Sequence, residues 1–161
     1  MQNSISIVLK NDKRVESQLF GASPLKHDVS GTFVFMIKLE ELPITTLFGK
    51  EGYLFLYIDV LNEICHLILE KDVKMHHNFD GYPISFELSD DESDDFKLFG
   101  KPYALNIGLE KDEMLLIQFD PLIIENPPIY DTLDGFVYVV IKKGHARHKM
   151  YERAYLRIDR T

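Results

Sequence analysis

The chain has 161 residues, 45 % of them apolar and 27 % charged, which is one domain's worth of ordinary globular composition and excludes wholesale disorder. A single cysteine, Cys65, excludes an internal disulfide framework and a thiolate metal cluster, and apolar runs of six residues or fewer exclude a membrane-spanning helix. The 18 basic and 26 acidic residues leave a net charge of −8, which disfavours nucleic acid and anionic membranes as partners. The charge is uneven. From residue 142 onward there are seven basic and two acidic residues, so the first 141 carry 11 basic against 24 acidic, a net of −13. The amino terminus has no charged region followed by an apolar stretch, so the expectation is a soluble cytoplasmic protein without a secretory signal.

In chain order, Ile5, Ile7 and Leu9 alternate with Ser6 and Val8, the period-2 pattern of a strand with one buried face. Residues 33–39 form a second apolar run, and a short helical turn is expected at 39–42, ahead of Pro43. Residues 53–58, opened by Gly52, are aromatic and β-branched throughout or leucine, which predicts a strand covered on both faces. An apolar strand at 64–69 holds Cys65, where a thiol behaves as a small hydrophobe. Further strands are expected at 84–88, 115–119 and 136–141, the last opened by Gly135, with a helical turn at 121–124. At the carboxyl end Arg153, Tyr155 and Arg157 alternate with Ala154, Leu156 and Ile158, which gives a strand with one wet face. No stretch sustains a 3.6-residue apolar period beyond about two turns.

An internal repeat organises these segments. Residues 5–21 and 84–100 are identical at seven of 17 positions at a constant offset of 79: Ile5/Ile84, Ser6/Ser85, Leu9/Leu88, Asp12/Asp91, Leu19/Leu98, Phe20/Phe99 and Gly21/Gly100. Residues 33–39 then match 115–121, 52–58 match 135–141, and 63–69 match 152–158. Four matches in one order predict two copies of a unit of about 80 residues. The expected fold is mainly β, with short helical turns at most: an internally duplicated antiparallel architecture. Its two pseudo-symmetric halves, about 1–80 and 81–161, share one core as a single domain, because neither half alone covers both faces of its sheet.

The run Phe33-Val34-Phe35-Met36-Ile37-Lys38-Leu39-Glu40-Glu41-Leu42-Pro43 and the strand at 52–58 resemble the YwqG-like family of bacterial proteins of unknown function. So do Leu115-Leu116-Ile117-Gln118-Phe119-Asp120, Asp134-Gly135 with the strand after it, Leu98-Phe99-Gly100-Lys101-Pro102 and the closing strand. The likeness covers roughly residues 19–158 and implies a duplicated, β-rich fold with no activity attached. The chain departs from the family in lacking the tryptophan before the second Gly-Asp, where it has Tyr130-Asp131-Thr132-Leu133-Asp134-Gly135, and in having Met36-Ile37-Lys38 for Gln-Ile-Asn.

Candidate chemistry is sparse. The run Asp90, Asp91, Glu92, Ser93, Asp94, Asp95 suggests Ca²⁺, yet it lacks the glycine and the closing glutamate of an EF-hand loop. It stands where Asn11-Asp12-Lys13-Arg14 stands in the first repeat, which predicts a solvated hairpin connection. The six histidines, His27, His66, His76, His77, His145 and His148, show no convergent ligand spacing, and neither a metal nor a cofactor is expected. A Gly-x-Ser-x-Gly elbow and a phosphate-cradling glycine loop are both absent. Between corresponding strands the second repeat is six residues longer, the extra material falling in 142–149 with Lys143, His145, Arg147 and His148.

These observations favour a non-enzymatic binding protein whose candidate surface is Asp90, Asp91, Glu92, Asp94 and Asp95, with Lys143, His145, Arg147 and His148 of the insertion. The acidic body suits a basic protein partner, and an immunity protein against a basic toxin is one concrete form. Its negative surface is expected to centre on residues 90–95 and 110–113. The alternative is a small hydrolase using Asp120, Asp131 and Asp134 as a carboxylate acid–base set.

Overall fold

The structure, a computed structural model, describes residues 4–9, 15–25, 29–71, 81–91, 93–103, 108–121 and 136–158. Ten strands run through them: β1 (Ser4–Leu9), β2 (Gln18–Leu19), β3 (Thr32–Lys38), β4 (Tyr53–Asp59), β5 (Ile64–Glu70), β6 (Tyr82–Ser89), β7 (Phe96–Leu98), β8 (Glu113–Phe119), β9 (Val137–Lys142) and β10 (Tyr155–Ile158). They form one sheet in the order β10-β9-β8-β7-β1-β6-β2-β3-β4-β5, antiparallel throughout. The sheet curls into a nearly closed barrel that brings β5 against β10. At that seam the Cys65 thiol donates to the Ala154 carbonyl at 3.6 Å. The protein is mainly β, as its sequence pattern predicts. Among the described residues no helix is long and apolar enough to cross a membrane.

The core lies inside the barrel. Ile5, Ile7, Ile37, Leu54, Leu56, Ile84, Leu98, Val137 and Val139 point into it, each burial worth about 1.5–3 kcal/mol. Two smaller clusters cover the outer face. Leu25 packs on Phe33, Met36, Phe55 and Tyr57 of β3 and β4, while Leu109 and Phe136 pack on Leu115, Tyr138 and Val140 of β8 and β9. Covering both faces explains why these four strands are apolar almost without interruption.

Alternation breaks at two places for one reason. The register of β3 shifts between Phe33 and Phe35, and that of β8 shifts at the corresponding place, between Leu115 and Ile117. Each bulge turns two consecutive side chains inward, Val34 with Phe35 and Leu116 with Ile117. The bulged carbonyls are then met by the Leu-Phe-Gly repeats. Phe20 N–H donates to the Val34 carbonyl at 2.6 Å, and Phe99 N–H to the Leu116 carbonyl at 3.0 Å. Both phenylalanines adopt the left-handed region, at φ +55° and +63°, a conformation that costs a bulky residue roughly 1–2 kcal/mol. Burial of both rings to 2 % exposure offsets that strain.

Exchanging β1–β5 for β6–β10 reverses the strand order onto itself. β1 and β6 pair about Ile7 and Phe86, which stand 79 residues apart. The matched segments hold corresponding registers: Ile58 opposes Thr32 as Ile141 opposes Met114, and His66 opposes Tyr57 as Tyr155 opposes Val140. The β2–β6 pairing departs from its counterpart by two residues, Leu19 facing Tyr82 where Leu98 faces Ile5. Gly135 lies outside the described residues.

Two sequence expectations need correcting. Residues 90–95 do not close a hairpin, because β1 lies between β6 and β7 and pairs with both. Arg153 belongs to a 3-10 turn, Tyr151–Arg153, so the last strand begins at Tyr155. The first helical turn is found at Leu39–Glu41; the second falls outside the described residues beyond Pro121.

Candidate functional site

The acidic connection between β6 and β7 is shaped by its own side chains. Ser89 Oγ accepts from Asp91 N–H at 3.1 Å, and Asp91 Oδ1 accepts from the backbone and hydroxyl of Ser93 at 2.9 and 2.7 Å. These bonds from Ser93 hold the Asp91 carboxyl below the usual carboxylate range, with Lys97 adding to the effect. Beneath the loop, Gln118 is fully buried; its Nε2 donates to the Asp94 carbonyl at 2.9 Å and its Oε1 accepts from Tyr103 N–H at 2.7 Å. Lys97, also fully buried, donates from Nζ to the Lys101 carbonyl at 2.6 Å. The loop is therefore pinned from below while Asp90, Asp91 and Asp95 face solvent.

Asp120 joins this group. Its N–H donates to the Asp95 carbonyl at 2.7 Å. The Asp95 carboxyl is pushed up, first by partial burial and then by the negative charges of Asp120 and Asp94. Asp94 Oδ2 is buried and, among the described residues, has no hydrogen-bond partner. Sequence reading grouped Asp120 with Asp131 and Asp134, which lie outside the described residues, as does Glu92.

The equivalent place in the first half is neutralised. By the repeat registers Glu16 corresponds to Asp95 and Lys38 to Asp120. Lys38 Nζ meets Glu16 Oε2 at 2.9 Å, which raises the lysine's pKa, and Tyr53 donates to the same carboxylate at 3.2 Å. Glu41 fixes this corner by accepting from Glu16 N–H, Ser17 N–H and Ser17 Oγ at 2.8, 3.0 and 2.5 Å. By that sequence correspondence, one corner sets a carboxylate against an ammonium, and the other brings Asp120 beside Asp95. Sequence reading missed this contrast, although the offsets of the repeat contain it.

The insertion is largely structural. α1 (Lys143–Arg147) follows β9 directly and buries Ala146. Its first N–H donates to the Asp112 carbonyl at 2.7 Å. The 3-10 turn after it sets Tyr151 against Phe48, ring centroids 5.1 Å apart, with its hydroxyl donating to the Leu47 carbonyl at 2.8 Å. This turn packs on β5 at the barrel's seam. Lys143, Arg147 and His148 stay exposed and His145 is half-buried.

The second expected acidic centre, residues 110–113, does not form one surface. Glu113 is 7 % exposed and its carboxylate accepts from Tyr155 OH, from Arg157 at 3.3 Å and from Glu110 N–H at 2.7 Å. Its place on β8 faces the outer layer, where Tyr155 and Arg157 of β10 reach it across β9 and desolvation requires those donors.

His66 accepts or donates a hydrogen bond with Ser30 at 2.8 Å, and among the described residues no group of three His, Cys, Asp or Glu side chains could hold a metal ion. Burial pushes the Cys65 thiol up to about 12, which keeps it protonated and unreactive. A depression of about 240 Å³ is lined by Leu39, Leu42, Pro43, Ile44 and Thr45 with Glu40 and Lys50, and no member of the acidic set lines it. Comparison with protein-family models and with curated proteins finds no match to this chain.

Proposed function

We propose that this YwqG-like chain is a non-enzymatic interaction protein that captures a basic segment of a partner protein on the acidic loop of residues 90–95. The observation that carries this reading is a pinned loop whose Asp90, Asp91 and Asp95 face solvent, with Asp120 N–H held on the Asp95 carbonyl; the charges of Asp120 and Asp94 push the Asp95 carboxyl up. A lysine or arginine of the partner would place an opposite charge beside Asp95, as Lys38 is placed beside Glu16 in the first half. The net −13 of the first 141 residues steers such a partner from a distance and rejects acidic competitors. A cytoplasmic bacterial immunity protein that neutralises a basic nuclease toxin is its concrete form.

The experiment is a pull-down with the wild type and with the variant carrying Asp90→Asn, Asp91→Asn, Asp94→Asn and Asp95→Asn, at 50 and 300 mM salt. Capture predicts a basic protein retained by the wild type at low salt, weakened at high salt as screening shortens to a few ångströms, and lost from the variant. Identical, partner-free profiles for both proteins refute it.

A further inference from the structure

We propose that the surface joining the two halves is self-complementary between copies of this chain, so that two molecules can trade halves into a reciprocally exchanged dimer. The pairing scheme supplies the first argument. β1 of the first half is hydrogen-bonded on both sides to second-half strands, β6 and β7, while β6 is bonded to β1 and β2 of the first half. Each half thus lends its opening strand to the other. The β1–β6 ladder is isologous in form: Ile5 faces Leu88 as Leu9 faces Ile84, about the central pair Ile7 and Phe86. A surface of that kind is what a two-fold homodimer uses. The first half of one copy and the second half of another reproduce every ladder of the closed barrel.

The single connection between the halves, from Lys71 to Gly81, sets which partner is chosen. β5 and β6 run in the same direction, because four antiparallel steps separate them in the sheet. Ladder registers place Tyr82 level with Leu19, Phe35, Leu56 and Leu67. Lys71 therefore lies five residues beyond Gly81 along the strand direction, ~16 Å at 3.3 Å per residue, and four strand spacings away, ~19 Å. The path over the sheet is ~25 Å, and ten peptide steps reach at most ~33–36 Å. Removing four residues leaves a reach of ~20–22 Å, too short to join the halves of one barrel. The second copy then becomes the only available complement.

Two full-chain measurements test this. In the variant Val8→Cys with Ser85→Cys, the new thiols sit directly opposite across the β1–β6 ladder. The unfolded variant is refolded under reducing conditions at 1 μM and at 500 μM, then oxidised. Exchange predicts covalent monomer from the dilute sample and a substantial covalent dimer from the concentrated one. The second variant deletes residues 74–77 and is followed by light scattering and far-ultraviolet circular dichroism. It is expected to be a folded dimer at both concentrations. A covalent monomer alone at every concentration overturns the proposal. So does a deletion variant that is a folded monomer, or one that stays unfolded at 500 μM.

Discussion

Replacing Glu113 by glutamine separates the carboxylate that holds the fold from those assigned to capture. Glu113 is 7 % exposed and accepts from three donors: Tyr155 OH, Arg157 Nη1 and Glu110 N–H. Hydrogen bonds to a charged group contribute about 1.5–3 kcal/mol each, and an amide of the same shape keeps some of them at neutral strength. The Arg157 side chain, 22 % exposed, loses its charged partner but can still reach water, which limits that part of the loss. Glu113→Gln is therefore expected to cost about 1.5–3 kcal/mol, and Tyr155→Phe, which removes one donor, about 1–2 kcal/mol. For a chain of this size each kcal/mol lowers Tm by about 2–4 °C. Urea unfolding of the two single variants and the double variant measures the coupling, which should reach at least about 0.5 kcal/mol, the lower bound for residues in one network. Partner retention by the folded Glu113→Gln protein should equal that of the wild type. A cost below about 0.5 kcal/mol, the range of ordinary surface substitutions, refutes the structural role; loss of the partner without loss of fold refutes the separation.

Gly52 and Gly49 share left-handed φ values of +93° and +86°, but an added Cβ at Gly52 meets the Glu70 carbonyl oxygen at 2.5 Å and at Gly49 meets nothing within 4 Å. Gly49→Ala should cost about 1–2 kcal/mol and Gly52→Ala measurably more in urea unfolding; equal costs contradict the close approach of β5. Cys65 should resist a thiol reagent at pH 8 in the native protein and react at once in 8 M urea, since burial holds its thiol up at about 12; rapid native labelling contradicts the closed seam. The acidic loop should show opposed titrations by NMR. Asp91, lowered in the fold, adds stability that is present above its unfolded pKa and lost as pH falls through the lower folded value. Asp95, raised, opposes folding once ionised, and that penalty disappears as pH falls through its raised value. An Asp95 that titrates below Asp91 contradicts the proposed convergence with Asp94 and Asp120.

Strand cores were legible because burial on both faces leaves a continuous apolar run, as in β4 and β9. The repeat offsets placed those runs at corresponding registers without any knowledge of neighbours. Neighbours themselves were not legible. A period-2 pattern says which side of β1 is buried, and says nothing about which strands lie beside it. Residues 90–95 therefore read as a hairpin until β1 was seen between β6 and β7. The bulges at Val34 and Leu116 were hidden by the same apolar continuity that revealed their strands, since every residue from 33 to 37 is apolar whichever way it points. Glu113 carried the opposite problem: a charged residue at a strand's first position reads as surface, and only the return of Tyr155 and Arg157 from 42 and 44 residues away buries it.

The two corners built from Glu16 with Lys38 and from Asp95 with Asp120 differ in what they ask of their surroundings. The first is closed: Glu41 secures its backbone, and the carboxylate has an ammonium and a tyrosine hydroxyl already in place. Such a partly exposed pair adds at most about 1 kcal/mol to stability, but it leaves little unbalanced field. The second places carboxylates together over a floor of buried Gln118 and Lys97. Their repulsion weakens the fold slightly, and the floor prevents the loop from spreading to escape it. The two corners differ in kind: the first is built round an ion pair, the second round carboxylates that raise Asp95. Net charge alone would slow aggregation equally well from any distribution. A charge held on a pinned loop gives a basic partner a defined place to dock, and the capture proposal uses that feature rather than net acidity.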